Sequence, residues 1–242
     1  MDIGKAITFI FEDPEWLKKV AIGTGLMLVG LIFSVLLIGL IPLIVVTGYT
    51  VLLVRNVMDG VEHPLPEWED WGDLFVRGLK LFLILLIWAI PLIFISLGSS
   101  LPPALMGDDP DLQGLATAIA VCCGCLTVIL SIAYALIEPV ITFRFARTNE
   151  FASGFEFGKI FRLLGDNIIN IIIAVIVSAV VGFILMILGG IVGTILLVIG
   201  LIVTIPAAGF LATLVEAHLF GQVGREAEAK VVKVAEEGAG IE

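Results

Sequence analysis

VAIGTGLMLVGLIFSVLLIGLIPLIVVTGYTVLLV, residues 20–54, contains no Asp, Glu, Lys or Arg. A helix that crosses a bilayer needs roughly 20 apolar residues. This run is too long for one crossing, so it is either one very long helix or two helices joined by a turn. Gly39-Leu40-Ile41-Pro42 interrupts it near its middle, and Gly and Pro are the strongest local punctuation in a chain. The run therefore reads as a hairpin broken at Gly39 and Pro42. Residues 168–215 pose the same problem, and Gly189-Gly190-Ile191-Val192-Gly193 supplies the second break, at Gly189, Gly190 and Gly193. Between the two runs, Leu81 to Leu97 and Leu115 to Phe143 form a third apolar pair. Residues 99–113 join them, with Pro102, Pro103, Asp108, Asp109, Pro110 and Asp111.

The basic residues test this reading independently. All 13 Lys and Arg fall into the groups Lys5 to Lys19, Arg55 to Lys80, Arg144 to Arg162 and Arg225 to Lys233. Lys and Arg in short loops mark the cytoplasmic face. Six spans put every basic group on that face and leave the opposite loops with acidic charge only. Either long run taken as a single span would put basic groups on both faces. The sequence thus predicts an all-α polytopic integral membrane protein with six transmembrane helices in three hairpins. The expected location is the cell membrane, with both termini cytoplasmic.

Composition agrees. Hydrophobic residues make up 60% of the 242 and charged residues 15%, against about half and a quarter in soluble domains. The mean hydropathy is +1.15. A formal charge of -10 argues against nucleic acid, which needs a basic face. The first 19 residues mix acidic and basic side chains and do not read as a cleavable signal. Cys122, Cys123 and Cys125 sit together in an apolar run. They offer neither a disulfide framework nor the paired ligands of structural zinc, and are better read as small residues for close helix packing.

Short amphipathic segments come before the first, third and fifth spans. Each carries the pattern apolar, Gly, charged, apolar or small, apolar: Ile3-Gly4-Lys5-Ala6-Ile7, Trp71-Gly72-Asp73-Leu74-Phe75 and Phe157-Gly158-Lys159-Ile160-Phe161. Such helices can lie in the headgroup plane, so each hairpin is expected to be preceded by a cytoplasmic-side interfacial helix. Trp16, Trp68, Trp71, Phe157 and Phe161 are the expected interfacial anchors. The pattern suggests repeat units over 1–60, 68–147 and 155–221 within a membrane domain of 1–221. Residues 222–242 then form a charged cytoplasmic tail with a short helix.

One stretch carries a family likeness. Gly48-Tyr49, Arg55, Asp59-Gly60, then Leu65-Pro66-Glu67-Trp68-Glu69-Asp70-Trp71, and Leu74-Phe75 with Gly78 resemble the signature of a prokaryotic membrane family, domain-of-unknown-function family 4013. Phe155 to Leu164 resembles the family's second cytoplasmic segment. The resemblance implies a multi-pass bacterial or archaeal membrane protein with no assigned activity, and it carries over no catalytic residue.

Ionisable residues inside a span are costly and point to function. Glu138, just before Pro139, and Glu216, with His218 close by, lie at similar depth in the fourth and sixth spans. They form a candidate intramembrane polar site for a cation or proton. The plainer reading places both carboxylates at the interface, paired with Arg144, Arg55 or Arg225. No nucleotide loop, zinc-binding helix or nucleophile elbow is present, so no enzyme activity, cofactor or metal is expected. The first functional expectation is a non-enzymatic membrane component or accessory subunit. The alternative is a small-solute or ion transporter or channel, with Glu138 and Glu216 near the cytoplasmic end of its pathway. The expected partners are the lipid bilayer and other membrane proteins or a second copy of the chain.

Overall fold

A computed structural model of the chain describes residues 1–106, 110–196 and 200–239. Asp108 and Asp109, expected in the loop opposite the basic groups, lie outside the described residues. The described residues are helical, with no strand among them. The helices are α1 (Ile3–Glu12), α2 (Trp16–Ile32), α3 (Leu40–Met58), α4 (Trp71–Met106), α5 (Pro110–Thr148), α6 (Phe157–Asp166), α7 (Ile168–Ile195) and α8 (Leu201–Ala239). Five of them, α3, α4, α5, α7 and α8, are long and apolar enough to cross a membrane. The remaining long apolar helix, α2, has 17 residues.

The first long run folds back, just ahead of the expected point. α2 ends at Ile32, and a single 3-10 turn spans Ser34–Leu36. Leu37 adopts a left-handed φ of 58°. Gly39 is the N-cap of α3. Pro42 is then the third residue of α3, where a missing N–H costs no helical bond. Gly39 marks the break, and Pro42 opens the next helix.

The second run corrects the expectation. Gly189, Gly190 and Gly193 all lie inside α7, which continues to Ile195 with Leu196 as its C-cap. The turn into α8 follows, with Gly200 immediately before Leu201. The glycines serve packing. A Cβ on Gly189 would meet the Thr204 carbonyl and Ala208, and one on Gly193 would meet Leu201 and Thr204. Small residues let helix backbones approach closely in this way.

Two further elements differ from the sequence reading. Separate short helices precede α2 and α7, but residues 71–80 are the first turns of α4 and not an independent helix. No breaker lies between Lys80 and the apolar residues that follow, and Asp73 pairs with Arg77 one turn along (2.5 Å). The 222–242 segment is likewise not a separate tail helix, since α8 runs unbroken from Leu201 through Ala239.

Packing is uneven along the bundle. The fully buried large side chains include Phe9, Tyr49, Leu53, Ile141, Phe145, Phe210, Leu214 and Leu219. Those of α3 and α5 come from the half nearest the basic groups, and those of α8 from the stretch leading up to Arg225. The opposite half presents apolar side chains outward, among them Phe94, Ile129 and Phe183. α3 and α4 make the closest crossing: a Cβ on Gly48 would strike the Leu74 carbonyl, and one on Gly78 the Ile44 carbonyl.

Candidate functional site

The buried half of α5 carries Glu138 next to Pro139, and that of α8 carries Glu216. Both side chains line a cavity of about 250 Å³ between α3, α4, α5 and α8. Thr47 and Thr50 of α3, Thr142 of α5 and Thr213 of α8 share its wall. Three of these hydroxyls donate to carbonyls of their own helices: Thr47 to Leu43 (3.0 Å), Thr50 to Thr47 (2.8 Å) and Thr213 to Phe210 (2.7 Å). Their protons are committed, so their oxygens have only lone pairs left to offer. An ionised carboxylate is also an acceptor only. The polar lining is therefore built largely of acceptors, which suits a cation or a donated proton.

A second cavity of about 210 Å³ lies against α7. Glu138, Glu216, Thr213 and Phe220 line both cavities, so the carboxylate pair stands between them. Ser178 of α7 lines the second cavity, and its buried hydroxyl has no hydrogen-bond partner. Pro139 lies inside α5 and lacks an N–H. The Ala135 carbonyl one turn earlier thus loses its helical donor, and Ala135 also lines the second cavity.

The expected ion pairs for these carboxylates are not formed. Arg144 pairs with Glu156. Arg55 lies 3.9 Å from Asp59. Among the described residues no salt bridge reaches Glu138 or Glu216. Among the described residues no ion pair joins Arg225 to either carboxylate, and the strongest arginine pairing lies further along the bundle. Arg147 forks onto Glu228, with two contacts of 2.7 Å, and also reaches Asp59 at 2.6 Å. This ties the ends of α3 and α5 to α8, about 14 Å along α5 from Glu138 at a helical rise of 1.5 Å per residue.

His218 does not join the pair. Two residues beyond Glu216 on a helix, it faces another way. Its buried ring stacks on Phe9 at 4.3 Å, and its Nδ1 lies 3.1 Å from Gln222 Nε2. It lines a different cavity, with Asp2, Lys5 and Glu226.

The expected anchors divide. Trp71, Phe157 and Phe161 are exposed, and Trp88 packs against the two phenylalanines with ring centroids at 5.2 and 6.4 Å. Trp16 is half-buried and sits edge-on to Phe11. Trp68 departs from expectation, because it is buried. Its ring stacks on Tyr49 at 4.0 Å, and its Nε1 donates to the Lys19 carbonyl at 2.9 Å. It closes the core beneath the α3–α4 connection. Cys123 packs against Gly98, while Cys122 and Cys125 are exposed.

Two polar clusters escape a sequence reading. One is the Arg147 fork. The other is Lys19, buried between Asp13 (2.8 Å) and Glu67 (2.6 Å), with a third bond to the Leu65 carbonyl (3.0 Å).

The Gly48–Gly78 stretch now has a physical account. Gly48 and Gly78 permit the α3–α4 crossing, and Tyr49 stacks on Trp68. Leu65 and Glu67 hold Lys19. Gly60 turns the chain after α3 with a φ of 73°, a conformation that favours glycine. No curated protein and no solved structure matches the chain. A family model matches residues 31–194, well over half of its length. The chain belongs to that family, described as a protein of unknown function (DUF4013).

Proposed function

We propose that the protein is a non-enzymatic, multi-pass membrane protein of a prokaryotic cell membrane that moves a small cation or a proton, with Glu138 and Glu216 as its working site. In this reading α2 is a sixth span and the three hairpins keep both termini on the cytoplasmic side, as the basic groups favour. One observation supports the function above the rest: two carboxylates with no ion pair among the described residues share an acceptor-lined cavity inside an apolar helical bundle. Carboxylates at such depth are expensive, and they are kept where they handle ions or protons. The second cavity, against α7, gives the pair polar space on its other side as well.

The test is flux in proteoliposomes, followed with a pH-sensitive dye and with monovalent-cation indicators. Wild type is expected to carry flux that falls at least about tenfold in Glu138→Gln and in Glu216→Gln, as loss of an essential ionisable group implies. Flux unaffected by both substitutions overturns the site.

A second reading, as an organiser or accessory subunit, is favoured by the outward apolar side chains of α1 and α6, such as Phe11, Phe157 and Phe161. These suit a headgroup-plane position beside other membrane proteins. Absence of flux together with a stable co-purifying membrane partner selects it.

A further inference from the structure

The geometry points to a second site, for the phosphodiester headgroup of an anionic phospholipid, between α6 and the extension of α8 beyond Gly221. A cavity of about 530 Å³ opens there, and Arg162, Lys230 and Lys233 converge on it. In a chain of net charge -10, this grouping of cations runs against the average. None of the three takes part in an ion pair among the described residues. Lys230 is held by neutral oxygens: the Asp166 carbonyl at 3.0 Å and Asn167 Oδ1 at 2.9 Å. Asn167 is itself buried, and its amide donates to the Leu163 carbonyl at 3.0 Å. The lysine is thus pre-positioned by a fixed side chain, and an ammonium has three donors, which leaves one for a ligand. One carboxylate, Asp166, shares the wall.

The surroundings select a lipid over a soluble anion. The cavity sits where amphipathic α6 gives way to apolar α7. Directly beyond it, Ile169, Ile172 and Ile176 of α7 are exposed. A headgroup in the cavity would lay its acyl chains along these isoleucines. Basic pockets at the mouths of membrane helices hold anionic headgroups by this combination of point charges and adjacent apolar surface.

The test uses the full chain purified in a non-ionic detergent. It is titrated with mixed micelles containing dioctanoyl phosphatidylglycerol, and in parallel with dioctanoyl phosphatidylcholine and with inorganic phosphate. Binding is read by tryptophan fluorescence and calorimetry. The anionic lipid is expected to bind at least about tenfold more tightly than the zwitterionic one, in line with the contribution of juxtamembrane basic residues. The triple variant Arg162→Gln, Lys230→Gln, Lys233→Gln should lose that preference. Removing three other basic charges, in Lys5→Gln, Lys18→Gln, Arg55→Gln, should leave it intact. Should the first triple variant melt below wild type, Lys233→Gln alone serves, since Lys233 is exposed, and it should weaken the preference by at least about threefold. Preference retained in the variants overturns the site. Displacement of the lipid by an equal concentration of inorganic phosphate overturns the lipid as its ligand.

Discussion

Lys19 shows how little of a residue's role lies in its immediate sequence. It stands beside Lys18 at the start of an apolar run, where a lysine is expected to reach outward to the headgroups. Lys18 does so and pairs with Glu15 at 2.7 Å. Lys19 points inward, because Asp13, Glu67 and the Leu65 carbonyl converge on it. Its ammonium and the Asp13 carboxylate are almost fully buried, whereas Glu67 is half exposed and adds little. Removing one member of a buried pair leaves an uncompensated charge. Lys19→Met should therefore destabilise the protein by about 3 kcal/mol, and Lys19→Met with Asp13→Leu by clearly less. Thermal melts in detergent measure both. Glu138 and Glu216, by contrast, were legible, since an ionised group stands out in any apolar run. Their convergence was not, because it depends on the relative rotation of α5 and α8. The same rotation separates His218 from them.

At the scale of elements, glycine has two meanings that a sequence does not separate. It ends helices and it lets helices touch. Gly39 stands at a helix boundary, as the N-cap of α3, in a turn where a Cβ would meet Gly30 and Phe33. Gly189 and Gly193 do the second, and only the position of α8 reveals it. Glycine substitutions should divide along this line. Gly48→Ala and Gly78→Ala drive a methyl group into a backbone carbonyl of the facing helix and should cost about 2 kcal/mol or more, as overpacking does. Gly190→Ala has open space around it and should gain about 0.5–1 kcal/mol, the usual return of alanine in a helix interior. Unfolding midpoints of the three variants in one detergent check the ordering. The merging of residues 71–80 into α4 has a similar cause. An amphipathic segment followed directly by an apolar one has no local reason to stop, so helix continuity is decided by the absence of a breaker and not by the change of face. Ahead of α7, Asn167 supplies such an interruption as the cap between α6 and α7.

At the scale of the molecule, all-helical architecture and membrane-length helices followed from composition and run length alone. Orientation was read from the basic groups, and it is testable. In a chain with its three native cysteines changed to serine, a cysteine at Gln113 should react with an impermeant thiol reagent added outside cells. One at Asp70 should react only after permeabilisation, by a margin of at least about tenfold in labelling, as a one-sided topology requires. The reverse pattern would invert the protein. The distribution of packing was not legible, because apolar residues fill both halves of every span. Whether such a residue meets a neighbouring helix or the acyl chains is set by how far the helices spread. Near the basic groups the helices are fastened by the Arg147 fork, the Lys19 cluster and interlocking aromatics. Toward the other end they are held mostly by apolar surface that also faces outward. That other end is joined in pairs, with the Ser34–Leu36 turn linking α2 to α3 and Gly189 and Gly193 of α7 close against α8, so a tilt about the fastened end would carry paired helices together. Glu138 of α5 and Glu216 of α8 lie toward the fastened end, where such a tilt would change their spacing least.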